Sequence, residues 1–303
     1  MGQREYEDPS FHAFMLASLD KQVAQLEHWG ERPAGLLILM SACEGHCFFC
    51  AQPVVTNPPA SMITSVEIIR EKLYQNRNVG LQRLMIGGTE PTSHPEFEET
   101  LRLAQAYGFS EIELMTSGLS FRKNGRRWAS MGVRSICSPL YSADPTVHDE
   151  IVGVSGHWRR VVAGIDTAFA LGLEVHVHTL AMVRTLDHLS ELGQWVKARW
   201  GGTVLVAPMR PKEEVFSFQK DAASLHEIAK IGDASLQWTG FPECVQSSGT
   251  GALLTRLYFR GQKTERISAC VGCALENRCQ GVVSGYLSEF GEAVVTTELC
   301  PHP

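Results

Sequence analysis

The sequence predicts an α/β protein, a partial six-stranded (β/α) barrel of the TIM type followed by a small cysteine-rich domain. Short apolar runs alternate with amphipathic helical patterns from about residue 35 to residue 231, and six such units argue for a parallel sheet with its crossover helices outside it. A full eight-stranded barrel takes about 250 residues, more than the alternation supplies. From Gly240 onward the chain turns rich in cysteine and glycine, a stretch too short for a generous core and suited to a metal staple. The expected organisation is an N-terminal helix packing on the core (1–34), the barrel (35–235) and the cysteine-rich domain (236–303).

Each element has its own signal. Phe11, Phe14, Met15, Leu19, Val23 and Leu26 recur at helical intervals after Asp8, Pro9 and Ser10, which predicts a helix over 10–29. Strands are expected over 35–41, 83–87, 111–116, 133–138, 173–179 and 203–207, with helices over 65–76, 95–107, 121–131, 158–171 and 187–200 between them. A last barrel helix is expected over 219–231. Chemistry in such folds gathers at the carboxyl ends of the strands.

Composition narrows the function. With 44% hydrophobic and 20% charged residues, the 303-residue chain is that of a globular protein with ample core. A net charge of −6 lacks the basic footprint of a phosphate-neutralising protein, so no nucleic-acid partner is expected. The polar N-terminus has no secretory pattern and no run reaches ~18 apolar residues, which predicts a cytoplasmic protein with no membrane partner. Nine cysteines without such a signal point to metal or cluster ligation rather than to a disulfide framework.

The first strand leads directly into Cys43-Glu44-Gly45-His46-Cys47-Phe48-Phe49-Cys50. Three thiolates in one tight loop suit a metal centre. A four-iron cubane usually takes four thiolates, so three leave one iron open, as catalytic zinc sites keep a position open. A zinc knuckle, or a disulfide pair with one spare thiol, are the other readings. The second strand ends in Gly87-Gly88-Thr89-Glu90-Pro91, where paired glycines admit a ligand close to the backbone and a carboxylate can accept from an ammonium group; a plain glycine turn with a surface Glu is the alternative. Thr116, Ser117 and Gly118 end the third strand with small hydroxyls. Ser138-Pro139-Leu140-Tyr141-Ser142 ends the fourth, ahead of His148 and Asp149, which read as a loop-fixing pair. On the fifth strand His176 and His178 share one face because Val175 and Val177 take the other, and His178 reads either as a ligand contact or as a satisfied core histidine. The sixth runs into Pro208-Met209-Arg210-Pro211, where Arg210 could pair a substrate carboxylate or simply a surface acid. Cys137 reads as a buried small hydrophobe. Past the barrel, Cys244, Cys270, Cys273 and Cys279 make a four-thiolate set with a C-x2-C-x5-C core, suited to an iron–sulfur cluster or a structural zinc ion. Cys300 could replace one of the four.

The cysteine loop after strand one, GGTEP after strand two and the four cysteines downstream together resemble the radical S-adenosylmethionine (SAM) superfamily with a C-terminal auxiliary-cluster domain of the SPASM type in its short form, called twitch. The resemblance implies that Cys43, Cys47 and Cys50 hold a [4Fe–4S] cluster whose open iron binds SAM, and that an electron from it breaks a C–S bond to release a 5′-deoxyadenosyl radical. It implies SAM contacts at Phe49, Gly87, Gly88, Glu90, Pro91, Thr116, Ser117, Ser138, His178 and Met209, with GGTEP at the amino group. It further implies a second, auxiliary [4Fe–4S] cluster on Cys244, Cys270, Cys273 and Cys279, and an electron donor such as flavodoxin or ferredoxin. The PLYS-type run resembles enzymes that modify peptides or metabolites. Hydrogen-atom abstraction from a ribosomally made peptide is therefore the first expectation. With 42 residues ahead of Cys43, fewer than the ~80 of a small added domain, it brings with it a separate peptide-recognition protein. A dehydrogenase, epimerase or decarboxylase of a small sugar- or amino-acid-derived metabolite is the second expectation, and a zinc-stabilised binding module the third.

Overall fold

The computed structural model describes residues 33–50, 57–209, 218–245, 264–275, 279 and 281–291. The expected helix over 10–29, Arg210 and Cys300 lie outside the described residues. Seven parallel strands follow one another in chain order: β1 Ala34–Leu39, β2 Arg83–Gly88, β3 Glu111–Met115, β4 Val133–Pro139, β5 Glu174–Ala181, β6 Thr203–Pro208 and β7 Leu236–Trp238. β1 and β7 are the edges, so the curved sheet is the partial barrel expected. The first six strands lie within two residues of their expected bounds. The seventh, Leu-Gln-Trp, is too short to carry a period. It is recruited by pairing, Val204 with Leu236 and Val206 with Trp238, and takes the sheet past residue 235.

Helices α1 Val66–Asn78, α2 Phe97–Ala106, α3 Phe121–Ser130, α4 Pro145–Val152, α5 His157–Ala170 and α6 Leu189–Trp200 lie between the strands. α4 has no counterpart among the expected helices, although its signals are local. The Asp144 carboxylate accepts from Thr146 N at 2.7 Å, Pro145 opens the first turn and Gly153 closes the last at φ 72°. The single helix expected over 219–231 is instead two, α7 Phe218–Asp221 and α8 Leu225–Ala229. Between them Ala223 N donates to Ala181 O at the end of β5, and a Ser224–Glu227 capping box restarts the helix.

The two sides of the sheet differ. Leu37, Leu39, Leu84, Ile86, Ile112, Leu114, Ile136, Val175, Val177, Val204 and Val206 are buried against the helices, which is why the strands read as continuous apolar runs. Truncating any of the Leu or Ile residues among them to Ala would cost about 2–5 kcal/mol. The opposite, concave side carries Ile38, 39% exposed, together with half-buried Met115, His176, His178 and Leu180. Lower on that side it is polar. Arg83 Nε lies 3.1 Å from Glu111 Oε2, His176 bridges Glu174 and Thr203, and Ser135 donates to buried Glu113, whose carboxyl is pushed up by burial.

Beyond β7, strands β8 Thr264–Glu265 and β9 Val282–Val283 pair antiparallel and lead into helix α9 Ser284–Phe290. That helix docks on α7: the Phe218 and Tyr286 rings meet edge to face at 5.1 Å, Tyr286 donates to Ala223 O, and Gln219 donates to Glu289 O at 2.8 Å. Among the described residues no helix is long and apolar enough to cross a membrane.

Candidate active site

The cysteine loop leaves β1 already tied to its neighbour. Ser41 N donates to Thr89 Oγ1 and Thr89 Oγ1 to Ser41 O, both at 2.8 Å, while Ser41 Oγ donates to Glu90 O at 2.6 Å. The loop's far side is held by α4, through His46 N to Val152 O at 2.9 Å, and by α5, through an Arg160–Glu44 ion pair at 2.7 Å. A turn with Cys50 N donating to Cys47 O closes it. A methyl group placed on Gly45 would lie 3.5 Å from Cys47 Sγ and 3.7 Å from Cys43 Sγ, so these two sulfurs converge on one side of the loop.

That convergence has an electrostatic cost. Burial raises the Cys43 thiol pKa, and the charges of Glu90, Cys50 and Glu44 raise it further against a hydrogen bond from the Gly45 backbone. Burial, with Cys50 and Cys43 adding to it, pushes Cys47 up to about 12. Bare thiolates at Cys43 and Cys47 are thus unfavourable here, and bound iron would reverse the balance, since a metal deprotonates its thiol ligands outright. Among the described residues no group of three or more His, Cys, Asp or Glu is gathered as a metal-ion site; a cubane gives each thiolate its own iron. The donor set of Cys43, Cys47 and Cys50 fits a cluster with one iron left open.

Glu90 sits 7% exposed at the tip of β2 and its carboxylate takes five donors. Oε1 accepts from Thr92 N, Thr92 Oγ1 and Thr116 Oγ1, and Oε2 from Ser117 N and Ser117 Oγ, at 2.6 to 3.1 Å. A carboxylate offers about four lone-pair sites, so this one is fully engaged by the chain itself. It clasps the end of β2 to the end of β3 and brings Thr116 and Ser117 beside the cysteine loop, where its charge acts on Cys43. Pro91, buried, opens the short turn Pro91–Ser93 that shapes this clasp. Gly87 is in register with Ile38 on the concave side. At Gly88 (φ +141°) an added Cβ would sit 1.9 Å from Leu39 O, so only glycine fits the crossing of the two strand ends.

The fourth strand divides its residues by parity. Pro139 is in register with His178 and Ser138 with Val177. His178 therefore faces the concave side, whereas Ser138 faces the helices, fully buried beside Gly118, its hydroxyl without a hydrogen-bond partner among the described residues. Ser138 and His178, both expected at a cofactor, thus lie on opposite faces of the sheet, because successive strand residues take opposite faces. Met209 is buried in the core directly after β6. Cys137 is buried as well, and burial pushes its thiol up, as befits an inert small side chain.

Sequence reasoning missed the packing around Phe49. Its ring meets Tyr141 edge to face at 5.3 Å; Tyr141 stacks on His148 at 5.5 Å, and His148 on His157 at 5.3 Å. Tyr141 N donates to His148 Nδ1 at 3.2 Å, which leaves the proton of neutral His148 on Nε2, pointing at His157 Nδ1 3.0 Å away. Burial, then the neighbouring imidazole, depresses His148 to about 3, and burial and Arg160 depress His157. Asp149 is the loop fixer expected, accepting from Gly156 N and Trp158 N. His157 had no signal in the sequence.

In the tail, Cys279 Sγ accepts from Glu243 N at 3.3 Å and Gly281 N at 3.4 Å, and Cys273 Sγ from Leu275 N at 3.4 Å. Cys273 N donates to Cys270 O at 3.1 Å. Burial raises the Cys279 thiol, with Glu243 and Cys270 adding to it. Cys244 adjoins Glu243, and all four sulfur residues are half-buried.

The model of the Radical SAM superfamily matches residues 37–196, more than half of the chain. GTP 3′,8-cyclase of Vibrio cholerae is 29% identical over 171 residues, 54% of this chain and 50% of that protein; the chain spans about half the length of the curated relatives it matches. Among solved structures, Streptococcus suis SuiB bound to precursor peptide SuiA aligns over 92% of this chain and 79% of its own, at a TM-score of 0.62 and 14% identity. The FeFe-hydrogenase maturase HydG from Carboxydothermus hydrogenoformans covers 72% of this chain and 56% of its own, at 0.51 and 17% identity. These two likenesses are of fold.

Proposed function

Because this chain belongs to the radical SAM superfamily, an enzyme family that uses SAM and a [4Fe–4S] cluster, we propose that it abstracts a hydrogen atom from a ribosomally synthesised peptide. When bound, the reduced cluster supplies the electron that cleaves SAM to a 5′-deoxyadenosyl radical. Cys43, Cys47 and Cys50 hold the cluster. Phe49, the Gly87–Gly88 backbone, Thr116, Ser117 and His178 line the place for SAM, with Glu90 acting through the hydroxyls it fixes. Cys244, Cys270, Cys273 and Cys279 hold a second cluster, and a flavodoxin or ferredoxin supplies electrons. The concave side gives the substrate an open floor with apolar Ile38, Met115 and Leu180 on it.

The observation that carries the peptide reading is the reach of the fold likeness. The SuiB structure, solved with a precursor peptide, aligns over 92% of this chain. A second reading, a small-metabolite substrate, is favoured by the curated relatives named GTP 3′,8-cyclase. The zinc-stabilised binding module expected as a third reading is set aside, since the family is one of enzymes. The deciding experiment incubates the anaerobically reconstituted enzyme with SAM, dithionite and either a peptide encoded beside its gene or GTP. The expected outcome is a mass change in the peptide matched by 5′-deoxyadenosine. Conversion of GTP with the peptide unaltered would establish the second reading instead.

A further inference from the structure

Tyr141 lies outside every role that the family resemblance assigns, yet its ring packs on Phe49, two residues after Cys47, at 5.3 Å, and its hydroxyl is the side-chain hydrogen-bond donor to Cys47. The residue is 5% exposed, so water does not compete for that bond. Its backbone is held on both sides. Leu140 N donates to His178 O at 3.0 Å, Tyr141 N to His148 Nδ1 at 3.2 Å, and Trp158 Nε1 to Ser142 O at 3.1 Å. Its ring is held between the edge of Phe49 and the face of His148, and His148 is fixed in turn by His157. So many restraints on one phenol leave its hydroxyl a single direction.

We propose that the Tyr141 hydroxyl donates to the Cys47 sulfur and thereby sets the reduction potential of the cluster on Cys43, Cys47 and Cys50, with His148 and His157 as the positioning residues that aim it. The inference rests on the reading of those three cysteines as cluster ligands. An added electron increases negative charge on the ligand sulfurs, and a donor aimed at one of them gains strength in the reduced state. The carboxylates of Glu90 and Glu44 act on the same loop in the opposite sense, since both raise negative potential at Cys43. Tyr141 is the side-chain donor at Cys47 that offsets them, and it makes reduction by a biological donor easier than the acidic surroundings alone would allow.

The test is an anaerobic potentiometric titration of the reconstituted enzyme followed by electron paramagnetic resonance. The three-cysteine cluster is identified by the change that added SAM makes in its signal. Tyr141→Phe removes only the hydroxyl. It should shift the midpoint to more negative potential, with the reduced-to-oxidised ratio at fixed potential falling about tenfold, which is 59 mV for one electron. Site-specific 3-fluorotyrosine at position 141, a stronger donor of nearly the same shape, should shift it to more positive potential. Opposite shifts from the two variants are not an effect of packing. Wild-type midpoints in both, with the SAM-sensitive signal intact, would overturn the role of Tyr141 and leave the cysteine reading standing. Absence of any SAM-sensitive signal in the wild-type enzyme would overturn the cysteine reading and this inference with it. Should the Phe variant hold no cluster, the fluorotyrosine protein alone decides, by a positive shift or none.

Discussion

Cys43, Cys47 and Cys50 hang on a loop stitched to β2, α4 and α5 by residues distant in sequence, and one of their sulfurs meets a phenol from the end of β4. Cys273 and Cys279, by contrast, accept from the backbone amides of Leu275, Gly281 and Glu243. The difference separates two ways of governing a sulfur. In the barrel, side chains delivered by the fold act on the sulfurs beside a backbone hydrogen bond from Gly45, so single substitutions can retune the site. In the tail the backbone sets the surroundings, so most side-chain substitutions leave it alone. On the proposed reading, the loop that leaves an iron open needs control of charge from outside itself, whereas the four tail thiolates would close their own site.

The largest expected effect separates the two groups outright. A Cys43→Ala, Cys47→Ala, Cys50→Ala variant should fall from about eight irons per chain to about four and form no 5′-deoxyadenosine from SAM and dithionite. A Cys270→Ala, Cys273→Ala variant should lose a similar share of iron and still cleave SAM. Cleavage at the wild-type rate by the first variant would break the comparison at its root. Next in size are two glycines. Gly88→Ala puts a methyl 1.9 Å from Leu39 O where the strand ends cross, and should cost more than about 3 kcal/mol in a urea titration. Gly272→Ala, at φ +75° between the tail cysteines with nothing within 4 Å, should cost about 1–2 kcal/mol, the penalty of the left-handed backbone alone.

A further effect is one of pH. His148 is held neutral down to about pH 3 in the fold, while in the unfolded chain it protonates near 6.5. Its contribution is complete above pH 6.5 and is lost as pH falls from there toward 3, at about 1.4 kcal/mol per unit. His157, depressed in the same direction, adds to the slope. The described part of the tail carries no histidine. Urea titrations at pH 7.5 and 5.0 should therefore show an acid loss that His148→Gln flattens. An unchanged slope in that variant would show that the imidazole ladder is not what makes the barrel acid-sensitive.

How much of this was legible in the chain depends on the range of the interaction. Strands β1 to β6 announced themselves through apolar runs buried on the helix side. Cys43 to Cys50 and the GGTEP turn are contiguous, so their chemistry could be read directly. α4 was equally local, with Asp144, Pro145 and Gly153 in place, but its eight residues are too few for a clear helical period. β7 needed its partner strand to be seen at all. The engagement of Glu90 by Thr92, Thr116 and Ser117 was invisible because it spans up to 27 residues between the tips of separate strands. The side taken by Ser138 follows from parity, but only once its register with Val177 is known. Tyr141 and His157 matter through stacking, which leaves no spacing to read.

The clasp at Glu90 also constrains how this chain can change. Its five donors come from three residues on two loops, and each hydroxyl alone could be lost at modest cost. Losing the carboxylate strands Thr92, Thr116 and Ser117 together, and losing two of those leaves a buried anion short of partners. Substitutions here are conditional on one another, so the tips of β2 and β3 inherit their chemistry as one unit. A lineage that explored new substrates would do so by altering the open floor of the barrel while this knot of hydroxyls stayed fixed.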